Sequence, residues 1–469
     1  MHDDIGFMAA TDMLAGFRSR QLSPVEVMQA VLARAEALQP HLNAFVLLDA
    51  ESALAAARES EQRWQDGRPL GRLDGVPVSV KDLLLTRGWP TRRGSRTVDP
   101  DQPWQDDAPV VARLREHGAI PFGKTTTPEF GWKGLDDSPL YGITRNPWNL
   151  DCTPGGSSGG AASQVAAGIG PLALGTDGGG SIRIPAAFCG IFGLKPSFGR
   201  VPAWPASPFS TLAHVGPMTR TVGDAALMLT VLAEPDWRDW YALPPAGADY
   251  GEGLEDGLAG LRIAWSPDLG HATVDPEVAA ATAAAIAVLE EQGAIVEAVK
   301  PPFANPHDAF WTHWLLGCRN LLRGFTPGQR EMLDPGLRNC FEDSLDINVE
   351  RALDSQNSRA ALGLAMNLLH RDYDLLATPS LAVPAFPVGR LDPQGREDRD
   401  WLGWTPFSYP FNLSQQPAAT MPCGFTQAGL PIGLQLVGPM HADALVLRAA
   451  RAFEAARPWQ QHRPALPAG

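Results

Sequence analysis

Two neighbouring glycine-rich stretches decide how this chain is read: Gly155-Gly156-Ser157-Ser158-Gly159-Gly160, and Gly175-Thr176-Asp177-Gly178-Gly179-Gly180-Ser181-Ile182-Arg183. Both hold serines and neither holds a histidine. Glycines let backbone N–H groups come close to a ligand, as the binding of an oxyanion requires. A serine hydroxyl, however, is a weak nucleophile until a base takes its proton, so the base must be found elsewhere. The second stretch follows an apolar strand at 171–174, and 182–188 reads as the start of a helix. A serine placed there has unpaired N–H groups around it and an accessible hydroxyl. Those groups could hold the oxyanion of a tetrahedral intermediate. A flexible glycine turn or an anion nest fits the same residues.

A candidate base lies about a hundred residues earlier. Gly75-Val76-Pro77-Val78-Ser79-Val80-Lys81-Asp82 is a short β-branched strand ending in two charges. Burial of Lys81 at a strand end would disfavour its ammonium form and lower its pKa, and a neutral lysine serves as general base in Ser-Lys hydrolases. The competing reading is a lysine paired to Asp82.

The rest of the chain has the pattern of an α/β enzyme. Ser23-Pro24-Val25-Glu26 is a capping box with proline at the first helical position, and helices are predicted near 24–38, 53–64 and 108–117. Helix followed by short apolar strand recurs at 118–123 and 293–296. Near the C-terminus 418–423 and 431–437 form a strand pair, and 442–456 a last helix. This alternation predicts one large domain over 1–469, with a central mixed, mostly parallel sheet covered by helices on both faces. Residues 234–260, rich in Pro, Gly and acids, read as a surface excursion, and 391–400 as a polar loop.

Composition narrows the function. The chain has 469 residues, 44% of them hydrophobic, and a formal charge of −14. That acidity offers no footprint for nucleic acid or an anionic membrane. No apolar run reaches the length of a membrane span, and the N-terminus has no signal-peptide pattern. Five scattered cysteines without a CxxC read as reduced thiols of a cytoplasmic protein. The ten histidines fall in no metal spacing, so neither metal nor other cofactor is expected.

Two motif matches are set aside. Gly118-Ala119-Ile120-Pro121-Phe122-Gly123-Lys124-Thr125 fits the P-loop pattern, but a helix precedes it and its variable positions are those of a strand. Gly155-Gly156-Ser157-Ser158-Gly159 fits a nucleophile elbow, which would make Ser157 the nucleophile with His370 or His441 as base. Neither histidine sits in a recognisable motif, and that reading leaves the second glycine stretch without a role.

Taken together, Lys81 after Val-Ser-Val, the two glycine stretches, Ile184-Pro185-Ala186-Ala187-Phe188-Cys189-Gly190 and Gly193-Leu194-Lys195-Pro196-Ser197 resemble the amidase signature family. Ser157 and Ser181 stand 24 residues apart, the separation expected there. Arg145-Asn146-Pro147-Trp148, Val215-Gly216-Pro217-Met218 and Pro431-Ile432-Gly433-Leu434-Gln435 extend the resemblance over nearly the whole chain. It implies a Ser–cis-Ser–Lys triad. Ser181 would be the nucleophile. Ser157, after a cis peptide bond, would relay the proton, and Lys81 would be base and then acid. The backbone N–H groups of Gly178, Gly179, Gly180 and Ser181 would form the oxyanion hole, with Asp177, Arg183 and Ser158 as supports. One departure is Gly178, where many relatives carry a bulkier apolar residue. A more mobile loop is expected, with the backbone chemistry intact.

Relatives of this kind hydrolyse glutamine within amidotransferases, fatty-acid and peptide amides, nylon oligomers and carbamates. The stretch 401–411 is aromatic and uncharged, which argues against glutamine and for a small apolar or aryl amide. Phe130, Trp132, Leu135, Tyr141, Phe310, Trp311, Trp314, Trp404 and Phe407 are the candidate pocket residues. The alternatives are a carbamate or aryl ester substrate with the same triad, or a component of an amidotransferase that works only in a complex. A monomer or homodimer is expected.

Overall fold

A computed structural model describes residues 5–245, 247–395 and 400–466. Its centre is an 11-stranded sheet. In chain order the strands are β1 (Phe45–Leu48), β2 (Pro77–Lys81), β3 (Ile120–Thr125), β4 (Leu172–Asp177), β5 (Phe192–Lys195), β6 (His214–Thr219), β7 (Arg262–Trp265), β8 (Ile295–Ala298), β9 (Leu375–Pro379), β10 (Ala418–Phe425) and β11 (Pro431–Val437). Their spatial order is β1-β3-β2-β4-β6-β5-β10-β11-β9-β7-β8. Chain before and after 234–260 feeds the same sheet, because β6 and β7 flank that segment. Of the polar loop expected at 391–400, residues 396–399 lie outside the described residues.

The sheet is mixed, but mostly parallel is corrected: six of its ten pairings are antiparallel. The helix–strand alternation is parallel where one helix crosses over, from β2 to β3 and from β7 to β8. Only β5 to β6 and β10 to β11 are joined without an α-helix, and both pairs are antiparallel; the other helical connections lead to strands that are not neighbours in the sheet. β10 and β11 form a hairpin, and β5 returns beside β6. Helices between strands therefore did not fix strand direction.

Side chains alternate across the sheet, so each strand feeds two cores. Val78, Val80, Leu172, Leu174, Leu434 and Leu436 point into one. It is covered by α1 (Ala10–Ser19), α2 (Pro24–Leu42), α3 (Ala50–Gln65) and α4 (Pro109–Glu116), and by later helices beginning at Val222, Pro276 and Asp443. The capping box that opens α2 is present, with the Ser23 N–H donating to Glu26 Oε2 at 2.9 Å. On the opposite face lie α5 (Gly159–Ala166) and α6 (Arg183–Cys189), followed in the chain by α7 (Val222–Leu232), α8 (Pro276–Glu291) and α9 (His307–Leu322). Of these last three, α9 joins α5 and α6 on that face, where Leu376, Ala418 and Val437 meet Ile184, Phe188, Phe310 and Trp314, while Ala173 packs with Ala162, Val165 and Ala186 of α5 and α6.

The parallel neighbours β2 and β4 bring Lys81 and the Thr176–Asp177 segment to the same edge of the sheet. Crevices at the carboxyl ends of parallel strands are the usual binding places in open α/β sheets. The two serine loops fold over this edge.

Candidate active site

Lys81 is fully buried at the end of β2. Its Nζ lies 2.7 Å from Ser157 Oγ, 2.8 Å from Ser158 Oγ and 3.0 Å from Thr176 Oγ1. Hydroxyls both donate and accept, so this cage fits an ammonium or a neutral amine. Burial pulls the Lys81 pKa down to about 7 against the opposing charges of Asp136 and Asp177. The ion pair with Asp82 is not formed. Asp82 instead meets Lys124 Nζ at 3.1 Å and accepts from the N–H groups of Arg92 and Gly94 at 3.2 and 3.3 Å. Lys124 thus lies buried in a strand as an ion-pair partner, which disposes of the P-loop reading of 118–125.

The peptide bond between Gly156 and Ser157 is cis. Ser157 and Ser181 are buried and line one cavity of about 340 Å³. Glycine at 131 leaves room for the first of them, since a Cβ there would stand 3.2 Å from Ser157 Oγ. The Ser158 N–H donates to the Ser181 carbonyl at 3.2 Å, tying the two glycine loops together. Ser158 Oγ also donates to the Thr176 carbonyl at 3.2 Å. His370 and His441 are absent from the cavity wall. The histidine that reaches it is His214, whose Nδ1 bonds the Leu212 carbonyl at 2.9 Å.

The loop that carries Ser181 is fixed by a buried ion pair. Arg183 Nε donates to Asp177 Oδ2 and Arg183 Nη2 to Asp177 Oδ1, both at 3.0 Å. The same guanidinium donates to the Ser408 carbonyl at 2.8 Å, Gln435 Oε1 at 2.9 Å and Asn412 Oδ1 at 2.7 Å. Burial alone would raise the Asp177 pKa, but Arg183, Lys195 and Asn412 outweigh it and hold the carboxyl well below the usual range. Asp177 in turn accepts from the N–H groups of Gly180 at 2.8 Å and Ile182 at 3.2 Å. The Gly180 N–H is therefore committed, which removes it from the expected set of oxyanion donors. Among the described residues no intramolecular partner takes the N–H groups of Gly178, Gly179 or Ser181. Glycine at 178 has a packing reason: a Cβ there would stand 3.2 Å from the Trp314 ring.

Of the candidate pocket residues, Phe130 and Trp314 line the cavity. The others do not. Trp132, Leu135, Phe310, Trp404 and Phe407 are core. Trp404 stacks on Phe188 with centroids 5.7 Å apart, and Phe310 stacks on Trp314 at 5.5 Å. Trp311 is half-buried one turn before Trp314 and packs against the core. Tyr141 lies in a loop held by Asn43, which donates to its carbonyl at 2.7 Å. The aromatic stretch 401–411 is hidden because its rings fill the space beneath the Ser181 loop, and none of it lines the cavity. The cavity takes its remaining aromatic surface from Phe198, Trp204, Phe209, Trp240 and Tyr241. Phe209 stacks on Trp314 at 4.2 Å.

Sequence reasoning missed Thr176, Asp136 and the Asn412–Gln435 pair. Asp136 accepts from the Gly160 N–H at 2.7 Å and from Thr126 Oγ1 at 3.0 Å, and burial raises its pKa to about 7. Its place between Ser157-Ser158 and a strand-rich segment carries no motif.

Known proteins bear on this arrangement directly. The family model for amidases matches residues 26–447. An acylamidase of Rhodococcus erythropolis is 41% identical over 98% of both chains. A glutamyl-tRNA(Gln) amidotransferase chain of Chloroflexus aggregans is 37% identical over 98% of this chain and 97% of its own. The crystal structure of a bacterial aryl acylamidase of the amidase signature family superposes with a TM-score of 0.90 at 33% identity, covering 97% of each chain. The sheet, the caged lysine and the two serine loops thus belong to a fold shared end to end with these enzymes, and the chain is a member of the amidase signature family of hydrolases.

Proposed function

We propose that this protein hydrolyses the C–N bond of small apolar or aryl amides through an acyl-enzyme on Ser181. The observation that carries the reading is the buried Lys81 Nζ, 2.7 Å from the Oγ of Ser157, which lines the same cavity as Ser181. In this reading neutral Lys81 takes the proton of Ser157 as Ser157 takes that of Ser181, and the Ser181 oxygen attacks the amide carbonyl. The N–H groups of Gly178, Gly179 and Ser181 receive the charge that develops on the carbonyl oxygen. Collapse of the intermediate returns the proton through Ser157 to the leaving amine. A water activated by the same relay then releases the acid and restores the serine.

The walls formed by Phe130, Phe209 and Trp314 suit an apolar or aryl group. Carbamates and aryl esters share the acyl-transfer step and fall within the same proposal. The similarity to an amidotransferase chain favours one competing reading, a protein that works only in a complex. Turnover of 4-nitroacetanilide, ethyl N-phenylcarbamate and 4-nitrophenyl acetate by the purified chain alone tests both. The expected result is turnover that Ser181→Ala abolishes, Lys81→Met lowers by about a thousandfold or more, and Ser157→Ala slows to a measurable residue. Wild-type rates in Ser181→Ala would overturn the assignment. Activity appearing only with a second protein chain would favour the competing reading.

A further inference from the structure

One charged group on the wall of the catalytic cavity has no part in the chemistry above. Arg93 lines that cavity together with Ser157, Ser181 and Phe130. It also lines a second cavity of about 560 Å³, which shares Arg93, Phe130 and Leu321 with the first and so continues it. Among the described residues its guanidinium makes no hydrogen bond, ion pair or ring contact. The one carboxylate near enough to favour its charge is Asp82. Asp82 is already spent on Lys124 and on the N–H groups of Arg92 and Gly94. Two cations therefore share one carboxylate, and the excess positive charge faces the cavity.

The backbone aims this side chain. Arg93 and Phe130 both have left-handed φ, at 58° and 53°, and the Phe130 N–H donates to the Arg93 carbonyl at 2.8 Å. Non-glycine residues in that region persist where surrounding structure holds them, and they gather at binding sites. Here the two are held by each other, and both side chains line the cavity. The carboxylates on the same wall are committed. Asp177 is paired with Arg183, and Asp239 accepts from the N–H groups of Ala203 and Tyr241 at 2.8 and 2.9 Å. In the outer cavity Asp99 accepts from the Asp101 N–H at 2.9 Å, and Asp106 faces Arg238. The inner cavity thus offers an unpaired guanidinium, while its carboxylates are held by Arg183 or by backbone N–H groups, which suits a ligand with a negative end.

We propose that Arg93 is an anion anchor, and that the cavity takes amides carrying a carboxylate several bonds from the scissile carbonyl. This deepens the amide-hydrolase reading and rests on it for the identity of the cavity. A guanidinium pairs with a carboxylate through two parallel hydrogen bonds, stronger than neutral ones. It would hold the far end of the substrate while the aromatic walls hold its body.

The test measures binding, so that it stands apart from turnover. Calorimetric titration of the Ser181→Ala protein uses two pairs of similar shape: glutaranilate with pentananilide (carboxylate on the acyl side), and 4-acetamidobenzoate with 4-acetamidotoluene (carboxylate on the amine side). At least one acid is expected to bind about tenfold tighter than its neutral partner. Adding Arg93→Met should erase that preference while leaving the neutral ligand within about twofold, which also shows that the fold survives; Arg93→Lys should keep part of it. The pair that responds tells which end of the amide carries the charge. Equal affinity for acid and neutral partner, no binding of either acid, or equal loss of both ligands in Arg93→Met would overturn the proposal. Hydrolysis of the neutral anilides by the wild-type chain reports separately on the amide-hydrolase reading.

Discussion

Replacing Arg183 with methionine is the perturbation whose cost the structure defines best. The Arg183–Asp177 pair is fully buried on both sides. Its loss leaves a carboxylate without its countercharge and strips the donor from the Ser408 carbonyl, Gln435 Oε1 and Asn412 Oδ1. Breaking a buried pair from one side costs about 3–5 kcal/mol, a large part of the roughly 5–15 kcal/mol that holds a typical fold. The urea midpoint of Arg183→Met should fall accordingly. The double variant Asp177→Asn, Arg183→Met should cost less than the two single changes together, by about 1 kcal/mol or more, because no stranded charge remains. The pH dependence has a fixed sign. The folded Asp177 pKa lies below its unfolded value, so the stabilisation is complete above the ordinary carboxylate range and is lost as pH falls through the folded pKa. The gap between wild type and Arg183→Met should narrow as pH falls, because burial without Arg183 raises the Asp177 carboxyl and the folded variant takes up a proton that the wild type does not. A cost under about 1 kcal/mol, or strict additivity in the double variant, would refute this account of what holds the Ser181 loop.

The remaining predictions concern the lysine. With Lys81 drawn down to about 7, kcat/KM should rise with pH through an acid limb centred near that value, because only the neutral amine accepts a proton. Asp136 opposes that shift by stabilising the ammonium form, so Asp136→Asn should move the limb about one unit further toward acid. A limb that stays in place or moves toward alkali would contradict the electrostatic role of Asp136.

The residues proposed to carry the reaction were legible in the sequence because they sit in contiguous motifs. Lys81 ends a strand, and Ser157 and Ser181 lie in glycine loops whose spacing carries the family resemblance. The strand and helix positions were legible for a related reason, since alternation of apolar residues reports burial. Strand direction was not, because a loop and a crossover helix leave the same local pattern. Of the pocket walls, Phe130 and Trp314 were legible and the rest were not. Trp132, Trp404 and Phe407 have the composition of a binding site, yet they fill the core. Phe209 and Trp240 come from two loops, one before β6 and one after α7, whose paths are set by tertiary contacts. The commitment of the Gly180 N–H to Asp177 depends on which way a short loop turns, which residue types alone do not encode. Arg93 reads as one arginine of a basic run, and only its surroundings show that its charge is unspent.

The central claim is that Lys81, acting through Ser157, activates Ser181. The measurement that tests it most directly is the rate of covalent labelling by a fluorophosphonate, followed by intact mass and peptide mapping across pH. Wild type, Lys81→Met and Ser181→Ala would be compared. The account predicts one adduct, at Ser181, formed faster as pH rises through about 7, absent in Ser181→Ala and about a hundredfold or more slower in Lys81→Met. An adduct at Ser157, or undiminished labelling of Ser181 in Lys81→Met, would contradict it.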